Sequence, residues 1–90
     1  MRTFHPKSSY RKDLKRIDKR GYDLAPLANV LNALRDGQPI PPARRDHPLK
    51  GEWATWRECH VEPDWLLIYK ISGDEILLAR TGTHVDLFGK

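Results

Sequence analysis

Side chains able to transfer protons and bind phosphate stand where the C-terminal apolar segments begin and end. His60 closes the segment "WATWRECH", and Asp64 follows it in "VEPD". Arg80 closes "ILLAR", and His84 lies four residues beyond it. An imidazole exchanges a proton near neutral pH, and a guanidinium offers a planar fork to phosphate oxygens. These groups suit metal-free RNA cleavage, in which a base takes the 2′-hydroxyl proton, an acid protonates the leaving oxygen and a cation stabilises the pentacoordinate phosphate.

The strand and turn pattern predicts that these residues meet at one edge of a sheet. From Trp53 onward, three segments rich in strand formers are separated by the turn sequences "VEPD" and "SGDE". Two tight turns predict three antiparallel neighbours, so the ends of the first and third strands lie beside the beginning of the second. We therefore expect His60, Asp64 and Arg80 to converge.

Further candidates come from the same edge and from a proline-rich loop. A helical turn in "THVDLF" would place His84 and Phe88 on one face. Trp65 begins the second strand, and with Phe88 it is expected to stack on unpaired bases, each contact being worth about 1–3 kcal/mol. His47 lies in the proline-rich loop, whose place in the fold the pattern does not determine.

Each of these side chains also has a purely structural explanation. A histidine at a strand end is commonly solvated or hydrogen-bonded, Asp64 suits a turn, and Arg80 suits a surface ion pair. Tryptophans suit core packing, which we expect for at least one of Trp53 and Trp56. We assign no function to His5, near the start of the chain.

The sequence lacks the motifs of a metal site, a Cys/His nucleophile or a phosphate-binding loop. Cys59 and His60 are adjacent on a predicted strand and point to opposite faces, so they cannot chelate one ion or act together as a Cys/His nucleophile. No CxxC, HxxxH or HExxH spacing is present, and neither GxGxxG nor GxxxxGK[ST] occurs. We therefore expect no metal and no small-molecule cofactor.

Composition favours a soluble, cytoplasmic protein with an acidic partner. The chain has 90 residues, with 16 Lys and Arg against 12 Asp and Glu. Residues 1–20 hold eight basic and two acidic side chains, so the positive charge is concentrated on one element, as in proteins that bind nucleic acid. One cysteine agrees with a reducing compartment, no apolar run is long enough to span a membrane, and the length predicts one domain over residues 1–90.

The apolar periodicity predicts an α+β fold. After a short extended start, Tyr10, Leu14 and Ile17 share one face of a first helix, and leucines spaced by three and four residues define a second. The two helices are expected to pack antiparallel. "QPIPPARRDHPLKG" is expected to be a long ordered loop or a short edge segment, followed by the antiparallel meander and a short C-terminal helical turn.

The blocks "DHPLKG", "WRECHVEPDWLLIYKI" and "RTGTHVDLF" resemble the YafQ branch of the RelE/ParE superfamily of bacterial toxins. The resemblance extends over essentially the whole chain and implies the RelE-like fold, a short strand and two helices followed by a β-meander. It implies a ribosome-dependent mRNA endonuclease that acts in the decoding site of the 70S ribosome and is inhibited by a cognate antitoxin. The residues that match the family's active-site pattern are His47, His60, Asp64, Trp65, Arg80, His84 and Phe88.

We expect Arg80 to bind the scissile phosphate and His84 to be the acid. Asp64, with His60 or His47, is expected to activate the 2′-hydroxyl. Two other functions stay open at this point: a ParE-like toxin that binds gyrase without nuclease chemistry, and a non-catalytic RNA-binding module that uses the basic first helix. The histidine set favours the nuclease, because a protein that only binds does not need it.

Overall fold

The computed structural model describes residues 2–89. In that range a five-stranded sheet is packed against two helices, and a third, short helix follows the last strand. The elements are β1 (Thr3–Pro6), α1 (Ser8–Lys19), α2 (Ala25–Arg35), β2 (His47–Pro48), β3 (Arg57–Glu62), β4 (Trp65–Ser72), β5 (Glu75–Gly82) and α3 (His84–Phe88). The predicted α+β class, the order of the elements and the C-terminal helical turn are confirmed.

The sheet order is β1-β5-β4-β3-β2. β3, β4 and β5 form the predicted antiparallel meander, β1 joins the outer side of β5 in parallel, and β2 joins the outer side of β3 in antiparallel orientation. The proline-rich loop therefore does contribute a short edge segment, and that segment begins with His47.

The core lies on one face of the sheet. Alternate residues of β3 and β4 point to this face, which is why Cys59 and Val61 are buried there together with Leu67 and Tyr69. The helices cover them with Tyr10 and Ile17 of the first predicted face and Leu27 and Leu34 of the second. Val30, which the predicted leucine face did not include, is buried beside them. The intervening residues of β3 and β4 point to the opposite face of the sheet.

Helix α1 runs along the part of β5 that β1 does not reach, since the pairing of β1 with β5 ends at Leu78. Beyond that point Ser9 donates a hydrogen bond from Oγ to the carbonyl of Ala79 (2.7 Å). The backbone N–H of Thr81 donates to Oδ2 of Asp13 (3.2 Å). Side chains of α1 thus satisfy strand groups that would otherwise need a further strand.

The proline-rich loop is held to the sheet by Arg44. Its Nη1 donates to the carbonyl of Val61 (2.6 Å), where the pairing of β3 with β4 changes register between His60 and Glu62. The bulge exposes carbonyls that lack a strand partner, and the arginine supplies one.

No helix within residues 2–89 is long and apolar enough to cross a membrane.

Candidate active site

A row of paired residues crosses the sheet on the face opposite the helical core. His47 of β2 is opposite Glu58 of β3, Glu58 is opposite Ile68 of β4, and Ile68 is opposite Arg80 of β5. Residues directly opposite each other on neighbouring strands share a face of the sheet. Ile68 is fully buried and separates an acidic and histidine-rich side of the row from a cationic side.

Glu58 connects two of the three candidate histidines. Its Oε1 lies 3.5 Å from Nε2 of His47 and 3.8 Å from Nε2 of His60, and the residue is only 7% exposed. The sequence analysis missed Glu58. A signal was available, because Glu58 and His60 are two residues apart on one strand and must point to the same face.

Both rings that approach Glu58 are oriented by backbone carbonyls. Nδ1 of His47 lies 3.1 Å from the carbonyl of Pro48, and Nδ1 of His60 lies 3.2 Å from that of Pro63. A carbonyl oxygen only accepts hydrogen bonds, so Nδ1 must carry a proton in each ring. Nε2 is then the nitrogen that gains or loses a proton, beside the carboxylate.

Asp64 contacts His84 rather than the other histidines. Its Oδ1 lies 2.5 Å from Nδ1 of His84 and accepts a second hydrogen bond, 3.1 Å long, from the His84 backbone N–H. The hydrogen bond from the His84 ring, followed by the one from its backbone, lowers the pKa of Asp64. The expected partnership of Asp64 with His60 or His47 is wrong, because the fold turns the carboxylate toward α3. The His84 ring instead lies 5.8 Å from the His60 ring, centre to centre.

The position of His84 depends on how α3 begins. Thr83 caps the helix: its Oγ1 accepts from the backbone N–H of Asp86, and its own N–H donates to Asp86 Oδ2, both at 3.1 Å. Arg20 of α1 donates to both carboxylate oxygens of Asp86, at 2.7 and 2.9 Å, and this bond is the main cause that lowers the pKa of Asp86. A Cβ at Gly82 would lie 3.0 Å from Cβ of Asp86, so glycine is required for this close approach.

Arg80 lies across β4 from the histidines and does not converge on them as closely as expected. Two strand spacings, about 10 Å, separate its backbone from that of β3. Its Nε and Nη2 donate to the two oxygens of Asp13, at 2.6 and 3.1 Å. The ion pair that the sequence allowed for Arg80 is therefore present, with a partner on α1, and it raises the pKa of Arg80. The side chain is still 26% exposed.

Asp46 supports the loop that carries His47. Its Oδ1 accepts from Nε of Arg57 (2.8 Å), and its Oδ2 accepts from the hydroxyl of Tyr69. The pKa of the Tyr69 hydroxyl is raised, first by burial and then by this bond. His47 is thus fixed in two ways: it pairs with β3, and the preceding residue, Asp46, is hydrogen-bonded to Arg57 and Tyr69 of the sheet.

The aromatic predictions need one correction. Trp65 is 1% exposed, and its ring packs edge-on against Tyr22 with centroids 5.4 Å apart. Its Nε1 donates to Oγ1 of Thr81 at 2.8 Å. The prediction that Trp65 stacks on a base is wrong, because alternation along β4 turns its side chain to the core face. Phe88, in contrast, is 40% exposed on α3.

Two other tryptophans are partly exposed, so the expectation that one of them packs in the core is also wrong. Trp53 and Trp56 pack edge-on with centroids 5.9 Å apart. The ammonium groups of Lys7 and Lys70 lie 4.8 and 5.7 Å from the centre of the Trp56 ring, within the range of cation–π attraction. His5, to which no function was assigned, lies 3.4 Å from Glu75 in an exposed pair.

The burial of Trp65 predicts a large loss of stability on truncation. We expect Trp65→Ala to lower the free energy of unfolding by about 3–5 kcal/mol, since it removes a fully packed ring and leaves a cavity. Urea unfolding followed by circular dichroism measures the change. Phe88→Ala is the matched control and should cost about 1 kcal/mol or less. Equal losses in the two variants would contradict the core position of Trp65.

Potential metal ligands and the single thiol are placed as follows. The part of the chain that the structure describes, residues 2–89, contains no group of three or more His, Cys, Asp or Glu side chains that could hold a metal ion. Cys59 is fully buried on the core face, and burial raises the pKa of its thiol to about 12. The thiol therefore stays protonated and cannot serve as a nucleophile.

A small sheet with helices on one face and an acid–base histidine cluster with an arginine on the other defines a toxin of the RelE/ParE type. The family model for YafQ, described as a bacterial toxin of type II toxin–antitoxin systems, matches residues 2–89. This chain belongs to the YafQ toxin family.

Characterised relatives cover nearly the whole chain. It is 44% identical over 81 residues to the mRNA interferase toxin YafQ of Escherichia coli strain K12, covering 89% of this chain and 88% of the relative. A copper-bound mutant toxin from Helicobacter pylori superimposes with a TM-score of 0.92 at 40% identity, over 98% of this chain and all of the other. The toxin structure in the E. coli DinJ–YafQ toxin–antitoxin complex gives a TM-score of 0.89 at 42% identity, over 98% of each chain.

Proposed function

We propose that this chain, an mRNA interferase toxin of the YafQ family and hence an endoribonuclease, cuts mRNA during translation by metal-free acid–base transfer through the 2′-hydroxyl. The observation that carries the proposal is the pairing of two histidines with two carboxylates on one open face. His60 lies beside Glu58, His84 lies beside Asp64, and the two rings are 5.8 Å apart.

The 2′-hydroxyl loses its proton to Nε2 of His60, in this proposal. Glu58 stabilises the imidazolium that forms, because its carboxylate is 3.8 Å from that nitrogen and is almost shielded from water. His47 shares the same carboxylate and is the second candidate for the base. Proton transfer to a positioned imidazole contributes roughly 10²- to 10⁴-fold to the rate.

The leaving 5′-oxygen receives its proton from Nε2 of His84. Asp64 holds the ring through Nδ1, which leaves Nε2 to face the leaving oxygen. Arg80 binds the phosphate oxygens from the other side of Ile68, and exposed Phe88 is placed to stack on an unpaired base. No step of the proposal runs through a metal ion.

The partners that we propose are translating ribosomes and a cognate antitoxin, in the cytoplasm, with residues 1–90 acting as one domain. The basic surface of α1 supports the ribosome, because its exposed lysines and arginines suit ribosomal RNA: Lys12, Lys15, Arg16, Lys19 and Arg20. The antitoxin is supported by the E. coli relative, whose structure is of a complex with DinJ.

Primer extension on an mRNA in a purified translation system tests the function. We expect new 5′ ends only when ribosomes translate that mRNA and wild-type toxin is present. A gyrase-directed toxin would leave the mRNA whole and block supercoiling of plasmid DNA by gyrase. An RNA-binding module would also leave it whole and show binding that weakens steeply with salt. Intact mRNA in the complete reaction would overturn the nuclease proposal.

A further inference from the structure

Asp13 is a buried acidic residue on an otherwise strongly basic helix. It is 2% exposed, and its neighbours on α1 include Lys12, Lys15 and Arg16. A carboxylate without water costs considerable free energy unless its oxygens are paired with donors. The contacts of Asp13 should therefore explain why a charge is kept there.

The hydrogen bonds that Asp13 accepts from outside its own helix come from β5, the strand that carries Arg80. The guanidinium of Arg80 donates two parallel hydrogen bonds, from Nε at 2.6 Å and from Nη2 at 3.1 Å. The next residue, Thr81, donates its backbone N–H to the same carboxylate at 3.2 Å. Arg16 adds a cation 3.6 Å away. Asp13 thus binds both the side chain of Arg80 and the adjacent backbone.

We propose that Asp13 is the positioning residue that orients Arg80 toward the scissile phosphate, an inference that rests on the proposed endonuclease function. A side-on, bidentate pair fixes the plane of a guanidinium as well as its place. Both bonds use the Nε and Nη2 side of the group, which leaves the Nη1 side for phosphate oxygens. Without Asp13, the long and flexible arginine side chain would sample many rotamers above the sheet.

The same contacts argue against an inhibitory role in which Asp13 neutralises the charge of Arg80. Arg16 lies 3.6 Å from the same carboxylate and 3.7 Å from Asp86, which Arg20 also binds. The local cluster of three arginines and two aspartates therefore keeps a net positive charge. Arg80 is still partly exposed. Substrate phosphate can therefore reach the guanidinium while Asp13 holds it, and removing Asp13 should lower activity rather than raise it.

Asp13→Asn tests the proposal, because it keeps the size of the side chain and removes its charge. At saturating toxin in the purified translation system, we expect a single-turnover cleavage rate about 10- to 100-fold below wild type, since misplacing a catalytic group by about 1 Å can cost 10²-fold. The toxin concentration for half-maximal rate should change little. Asp18→Asn, an exposed aspartate on the same helix, is the matched control and should cleave like wild type.

A double-mutant cycle shows whether Asp13 acts through Arg80. In an Arg80→Lys background the bidentate pair is absent, so Asp13→Asn should cause little further loss. Asp13→Glu, which keeps the charge but displaces it by one methylene, should recover part of the rate and provides the test if the asparagine variant does not fold. The nitrogen-15 NMR signal of Arg80 Nε should shift in Asp13→Asn while the Trp65 indole signal stays in place.

A rate equal to or above wild type in folded Asp13→Asn would overturn the proposal, as would a full independent loss in the Arg80→Lys background. Wild-type cleavage is measured in the same assay. If wild-type toxin leaves the mRNA intact, the proposed function fails, whereas cleavage by wild type with an unaffected Asp13→Asn variant rejects only the role of Asp13.

Discussion

An mRNA that carries hydrogen in place of the 2′-hydroxyl at the cut site should not be cleaved. In the proposed mechanism that hydroxyl is the nucleophile, and His60 has no proton to accept when it is missing. The electrostatic contribution of Arg80 and the acid His84 would remain, but no bond to phosphorus could form. We therefore expect cleavage at that position to fall below detection.

The measurement uses a synthetic mRNA with one deoxynucleotide at the mapped cut position, translated in the purified system and analysed by primer extension. The matched control is the same mRNA with the deoxynucleotide three positions upstream, which should be cut normally. This control excludes a general defect in translation of the modified message. Continued cleavage at the deoxy position would show that water or another group attacks the phosphate, and it would rule out the 2′-hydroxyl mechanism.

His84→Ala should lower the cleavage rate by about 10²- to 10⁴-fold, the usual contribution of a proton-transfer group. The residue is the first of α3, with a side chain that is 43% exposed, so the fold should persist. His5→Ala is the control, since His5 is also exposed and paired with a carboxylate but lies on β1, away from the site. A His84→Ala variant that cleaves at the wild-type rate would remove His84 from the mechanism.

The same variant should also change the titration of Asp64. The His84 ring and backbone lower the pKa of Asp64, so the stability that their pairing provides is present above the ordinary carboxyl pKa and is lost as the pH falls through the lowered one. Removing the ring should return the pKa of Asp64 toward its ordinary range. Carbon-13 NMR of the Asp64 carboxyl group measures the change.

The elements were predictable because local patterns dominate them. Two turn sequences between strand-forming segments were enough to predict the meander, and a four-residue spacing was enough to place His84 and Phe88 on one short helix. Proximity at the shared edge followed for His60 and Asp64, since hairpin geometry brings the two sides of a turn together.

The exact partners were not predictable, because they depend on which face each side chain takes and on contacts between distant segments. The partner of Asp64 depends on the direction in which α3 leaves β5. Trp65 stands beside Asp64 in the sequence, yet it belongs to the core because β4 alternates its faces. Glu58 could have been found from its two-residue spacing to His60 on one strand. Asp13 gave no such signal, because only the fold buries its carboxylate next to basic groups.

The hydrogen bonds between α1 and the C-terminal residues affect when, during synthesis and folding, the toxin becomes active. The Asp13–Arg80 and Arg20–Asp86 bonds join residues 67 and 66 positions apart, and such non-local contacts form late because a long loop must close first. A growing chain that has not yet delivered its last strand lacks Arg80 and His84 as well as the contacts that hold them. Folding and the onset of nuclease activity should therefore coincide in time, and both should follow the synthesis of β5 and α3.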